Sequence, residues 1–158
     1  MRVAFYAPLK PPTSDVPSGD RQMARALTSA LTLAGHEVEI ASILRTRDAA
    51  GDAERQRRIA ALGARMAERL IRRYRRRAPP ARPKAWLTYH VYHKAPDWLG
   101  PPVSQALGIP YLIAEASFAP KQAAGRWAIG HTAAAGAIRS ADAVIGLNSR
   151  DAACVRPL

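Results

Sequence analysis

An open, parallel α/β sheet flanked by helices is the fold class this sequence predicts, on three observations. Short runs rich in Val, Ile, Ala and aromatic residues alternate with helical periodicities, and parallel neighbours need long crossover connections that are usually helical. The first forty residues set out one complete unit: an apolar run at residues 2–7, a Pro-rich loop, Ser18-Gly19-Asp20, an amphipathic pattern, and Gly35-His36-Glu37-Val38 opening a second strand. The 158 residues, 48% of them hydrophobic, suit one compact domain, and a chain of this size buries about 68–70% of its unfolded surface.

Each element follows in order. The first helix starts near Asp20, with Met23, Leu27, Ala30, Leu31 and Ala34 as its apolar stripe and Gly35 as its stop. Residues 38–43 form a strand. Residues 53–77 are helical, with Ile59, Leu62, Met66, Leu70, Ile71 and Tyr74 on one face, and Pro79, Pro80 and Pro83 end the run. Residues 85–90 and 111–114 are strands, separated by a short helix at 102–107 that stops at Gly108. Residues 127–140 are Ala-rich and helical, and residues 143–147 are a last, buried strand before Asn148-Ser149. The architecture is Rossmann-like. Ligands of such sheets sit beyond the carboxyl ends of the strands, which places residues 8–19, 90–97, 115–121 and 148–150 on one rim, with a small-residue turn at Ser18-Gly19 where a phosphate fits.

Composition narrows the setting. Cys154 is the one cysteine, so an internal disulfide framework is excluded and a reducing, cytoplasmic compartment is expected. No stretch approaches the roughly 18–20 apolar residues that span a bilayer, so any membrane contact is peripheral, at the inner face. The net charge of +12, from 24 Lys+Arg against 12 Asp+Glu, favours phosphate-bearing partners without choosing among them. Residues 53–77 hold ten arginines against two glutamates, two-thirds of that excess. Its arginines, Arg72, Arg73, Arg75, Arg76 and Arg77 above all, are read either as a solvated face or as an anionic-membrane surface, where each basic residue is worth about 1 kcal/mol. Nucleic acid is the weaker partner, because only Tyr74 offers an aromatic ring inside the cluster; on this helix alone the chain reads as a non-catalytic Rossmann-like module that docks on anionic membrane or nucleic acid.

Taken together, several segments resemble the N-terminal domain of a GT-B glycosyltransferase of the retaining group 1 class (glycosyltransferase family four). Ser18-Gly19 occupies the place of the family's two glycines after the first strand, and Gly35-His36-Glu37-Val38 follows the helix. Gly108-Ile109-Pro110-Tyr111-Leu112-Ile113 resembles the entry to a central strand, and Ala141-Asp142-Ala143-Val144-Ile145 with Asn148-Ser149 resembles the last strand of that domain. The likeness implies hexosyl transfer from a nucleotide-sugar donor to an acceptor hydroxyl, with no metal and no cofactor. It also implies a facing second domain that holds most of the nucleotide, so residues 1–158 are expected to be the acceptor-side half, inactive alone. Ala116 stands where family members often place a histidine.

Ser18 and Gly19 are therefore the candidate donor-diphosphate contacts, since a residue without a Cβ lets backbone N–H groups at a helix start approach an anion; the plain alternative is a turn glycine with Ser18 or Asp20 as cap. Glu115 and Ser117, at a strand tip, are the candidate catalytic groups, a carboxylate there steadying oxocarbenium-like charge; alternatively Glu115 caps the next segment or pairs with Lys121 or Arg126. Lys10, His90, Tyr92 and Lys94 are the candidate acceptor contacts, or ordinary loop residues. His90, His93 and Asp97 hint at a metal site, but no further ligand follows at a suitable spacing.

Overall fold

The computed structural model describes residues 1–156 and 158, with residues 150–152 described in backbone only. Five strands, β1 (Arg2–Tyr6), β2 (Glu37–Ser42), β3 (Ala85–Val91), β4 (Tyr111–Ala116) and β5 (Ala143–Ile145), form one sheet in the order β2-β1-β3-β4-β5. Every pairing is parallel. The helices are α1 (Gly19–Leu33), α2 (Ala53–Arg75), α3 (Gly100–Leu107), α4 (Ala128–Ser140) and α5 (Ser149–Val155). The architecture is thus the predicted Rossmann-like α/β sheet, and the chain reverses its direction of winding between β1 and β3, the position at which such sheets open a crevice.

Alternation along the strands assigns the two faces. Val3 and Phe5 of β1, with Leu87 and Tyr89 of β3, pack against α1 through Ala24, Leu27 and Leu31. On the opposite face Ala4, Tyr6, Trp86, Tyr111 and Ile113 meet α2, α3 and α4 through Ala67, Leu70, Tyr74, Val103, Ala134 and Ile138. Backbone capping sets the helix starts: the Ser18 hydroxyl accepts from the Arg21 N–H at 3.2 Å, and an Asp52 carboxylate oxygen accepts from the Arg55 N–H at 3.0 Å. Gly108, at φ 62°, closes α3 in the left-handed conformation that favours glycine.

Three details differ from expectation. The buried stripe of α1 is Ala24, Leu27 and Leu31, whereas Met23, Ala30 and Ala34 face outward. Helix α2 buries Gln56, Gly63 and Ala67 alongside Leu70 and Tyr74, and leaves Leu62 exposed, because Gly63 brings its backbone against Trp98. β5 is a short edge strand with Ile145 half exposed, not a buried one: among the described residues it pairs with β4 alone, which leaves its outer edge open. Helix α5 lies beyond the predicted elements.

A buried polar network sits under the second face. The Asp97 carboxylate accepts from the backbone N–H groups of Leu99 and Gly100, each at 2.8 Å, and from the hydroxyls of Thr88 and Tyr111. Trp86 Nε1 in turn donates to the Thr88 hydroxyl at 2.8 Å. Burial pushes the Asp97 carboxyl above its ordinary range, against the pull of the groups that donate to it. This residue starts α3 and so is unavailable as the metal ligand that its spacing from His90 and His93 suggested.

Candidate functional site at the β1/β3 crevice

The reversal between β1 and β3 brings the start of α1 against the carboxyl ends of β3 and β4. His90 ends up with Nδ1 3.0 Å from Oδ1 of Asp20, seventy residues earlier in the chain. On β4, Glu115 lies close to Tyr89, and burial, reinforced by the Glu115 and Asp20 charges, raises the Tyr89 hydroxyl far above the ordinary tyrosine range. Asp20, Tyr89, His90 and Glu115 thus form one cluster.

The backbone beneath the cluster is unusual. His90 has φ 64° and Glu115 φ 65°, and among the described residues no other non-glycine residue has positive φ. The β3–β4 ladder pairs Tyr89 with Ala114 and Val91 with Ala116, so His90 and Glu115 occupy the same rung of neighbouring strands. A left-handed conformation costs an ordinary L-residue about 1 kcal/mol or more, and persists where the surroundings impose it. The paired distortion is held by bonds on either side, among them the Ser117 N–H to the Val91 carbonyl at 2.9 Å.

An aromatic row leads away from the cluster. Successive ring centroids are 5.7 Å apart for Tyr89–His90, 5.0 Å for the stacked His90–Tyr92, 5.5 Å for Tyr92–His93 and 5.7 Å for His93–Trp127. Burial raises the Tyr92 hydroxyl above its ordinary range, against the pull of the nearby Arg47 guanidinium.

The other expected site residues divide. Ser18 spends its hydroxyl on the α1 cap, and Gly19 is exposed with open space where a Cβ would point. Lys10 is half-buried in the loop after β1. Lys94 is tied down: its ammonium lies 4.6 Å over the Trp127 ring, and its carbonyl accepts from Asp48. Ser117 is half-buried beside Glu115. The side chain of Arg150, at the end of the expected rim, lies outside the described residues. Among those residues no group of three or more His, Cys, Asp or Glu side chains is disposed to hold a metal.

The arginines of α2 are not one open surface. Arg73 and Arg77 both pair with Glu39 of β2, at 2.9 Å for Arg73, and both stack over Tyr74 with 4.9 Å to its centroid. Burial works against ionising Glu39, but the Arg77 bond and the charges of Arg77 and Arg73 outweigh it and hold its carboxyl below the usual range. Arg75 donates to the Ala106 carbonyl at 2.9 Å, while Arg72 makes an exposed pair with Glu68 on its own helix and Arg76 is solvent-facing. No described helix is long and apolar enough to cross a membrane.

His93 makes the site sensitive to acid. Burial, reinforced by Lys94, His131 and Lys121, lowers its imidazole pKa, and its Nδ1 is buried without a hydrogen-bond partner. Between that lowered value and about 6.5 the unfolded chain binds a proton that the native state refuses, so stability falls as pH drops through this window. Urea midpoints measured from pH 7.5 downward should decline near and below about pH 6.5, and His93→Asn should flatten that decline.

The residues that position this site were not legible as a motif. Thr46, Asp48 and Gln56 are buried polar side chains that bind the loop at residues 43–52 to the β3 and α4 ends. The alternation Arg45-Thr46-Arg47-Asp48 is the signal that marks such a loop. Comparison of the chain with protein-family models, with curated proteins and with solved structures gives no match.

Proposed function

We propose that this domain is the acceptor-side half of a retaining glycosyltransferase, moving a hexosyl group from a nucleotide sugar to an acceptor hydroxyl. The observation that carries the reading is the shared rung of His90 and Glu115, two strained residues presented at the β1/β3 crevice beside Asp20. The aromatic row supports it, since the C–H face of a sugar packs on aromatic rings while its hydroxyls bond to carboxylates and imidazoles.

In this reading the anomeric C–O bond breaks with its electron pair on the departing diphosphate. The acceptor oxygen bonds to that carbon on the same face, and its proton leaves with the diphosphate. Glu115 steadies the positive charge that develops on the sugar. Asp20 orients the His90 ring and leaves Nε2 for a hydroxyl. The free backbone N–H groups at Gly19 meet the diphosphate at the positive end of α1. A facing domain supplies the remaining nucleotide contacts. Arg72 and Arg76, on the exposed side of α2, suit contact with an anionic membrane at its cytoplasmic face while the sheet stays intact.

Saturation-transfer NMR with nucleotide sugars and simple hydroxyl acceptors tests the reading. Sugar protons should be saturated by the wild-type chain, and the signal should fall at least fivefold in His90→Ala and in Glu115→Gln, with folding checked by circular dichroism. Sugar contacts absent from the wild type, or untouched by both substitutions, would overturn it. Glycosyl transfer by residues 1–158 alone would refute the half-enzyme reading.

A further inference from the structure

A pocket of about 390 Å³ opens beside the crevice, lined by Arg45, Arg47 and Arg55 together with Asp48, Ala49 and Ala50. Its floor is a loop fixed from inside. The Thr46 N–H donates to the Pro8 carbonyl at 2.9 Å, the Thr46 hydroxyl to the Pro96 carbonyl at 2.7 Å, and the Asp48 N–H to the Lys94 carbonyl at 2.8 Å. Because Thr46 and Asp48 turn inward, the alternating Arg45 and Arg47 turn out. Trp127 Nε1 donates to the Asp48 carbonyl at 3.0 Å and clamps the same loop to the start of α4.

Among the described residues the pocket is net cationic, three lining guanidinium groups against Asp48 and, beside Arg55, the Asp52 carboxylate. Asp48 is its only lining carboxylate, and its oxygens are occupied by the Ala50 N–H at 3.2 Å, the Asp52 N–H at 2.8 Å and Gln56 Nε2 at 2.9 Å. None of Arg45, Arg47 and Arg55 belongs to an ion pair of the described residues, in contrast to Arg73 and Arg77 at the other end of α2. Guanidinium groups bind phosphate oxygens in pairs of parallel hydrogen bonds, and preorganised ones lose little freedom in doing so.

The geometry points to a phosphate-binding subsite. On the glycosyltransferase reading, on which the identity of the ligand rests, it receives the phosphate of a phosphorylated acceptor. The loop that carries Arg45 and Arg47 is bonded to Pro8 after β1 and to Lys94 after β3, and Tyr92 in that same β3 loop stacks on His90, so the subsite lies beside the crevice that holds the reacting hydroxyl.

Calorimetric titration with inorganic phosphate at constant ionic strength tests the subsite without any sugar. The wild-type chain should bind one phosphate saturably, and Arg45→Ala/Arg47→Ala should weaken binding at least tenfold. Arg57→Ala/Arg58→Ala removes the same charge from exposed α2 positions and should leave binding within twofold. Equal weakening by both pairs, or no saturable binding, would overturn the subsite; Arg55→Ala is a milder second variant should the first double variant fold poorly. Once phosphate binding is localised, sedimentation with phosphatidic acid and phosphatidylcholine vesicles separates its sources. Pelleting that the Arg45/Arg47 variant loses identifies a lipid headgroup, and pelleting that it keeps, or its absence in both, identifies a soluble phosphate ester. Saturable phosphate binding by the wild-type chain without saturation transfer to any sugar would keep the subsite and refute the sugar reading, so the two failures are distinguishable.

Discussion

Asp97→Ala is expected to cost about 3–5 kcal/mol, a large share of the roughly 5–15 kcal/mol that holds a domain folded, since removing one member of a buried charged network strands the others. Four donors lose their acceptor at once: the Leu99 and Gly100 N–H groups, the Thr88 hydroxyl and the Tyr111 hydroxyl. No water reaches them, because Thr88, Leu99 and Tyr111 are essentially inaccessible. Asp97→Asn keeps the shape and one acceptor oxygen and should cost less, about 1–3 kcal/mol, the range for a buried donor left without a partner. Chemical denaturation of the two variants separates them; a loss below 1 kcal/mol in the alanine variant would show that the network does not hold α3.

Gly130→Ala is expected to destabilise by about 2–4 kcal/mol, the upper range of overpacking, and to disturb the crevice as well. A Cβ on Gly130 would collide with the carbonyl oxygen of His93, a backbone atom that no rotamer change can move aside. The Gly130 N–H also donates to Gln56 Oε1 at 3.0 Å, and the Gln56 amide reaches Asp48 and the Arg126 carbonyl. Displacing α4 therefore pulls on the loop that carries Arg45 and Arg47. Thermal melting should show the loss, and phosphate binding should weaken in the same variant; an unchanged melting temperature would mean that α4 can slide away from β3 freely.

Local signals carried most of the fold into the sequence. The apolar stripe and the prolines from Pro79 onward placed α2 to within two residues at either end, and Gly108 marked the end of α3, because breakers act through the nearest backbone. Stripes were harder. In α1 several alanines satisfy the helical period, and which of them meets the sheet depends on how closely the helix approaches, a property of Val3, Phe5 and Tyr89 far along the chain. The exposure of β5 was unreadable for the same reason: whether an apolar strand is buried is decided by what lies over it. At the site, Glu115 and His90 were identifiable from their strand-tip positions, but the Asp20 contact was not, because it joins residues that only the sheet order makes neighbours. The placement of Lys94 over Trp127 was equally unreadable, since it joins residues far apart in the chain.

The opposed left-handed residues on β3 and β4 have a last consequence. Glycine at either position would satisfy the backbone without strain, whereas the chain places an imidazole and a carboxylate there. The strand ends of β3 and β4 thus mark, within the backbone itself, where this protein gives up stability, and they do so independently of what any side chain nearby turns out to bind.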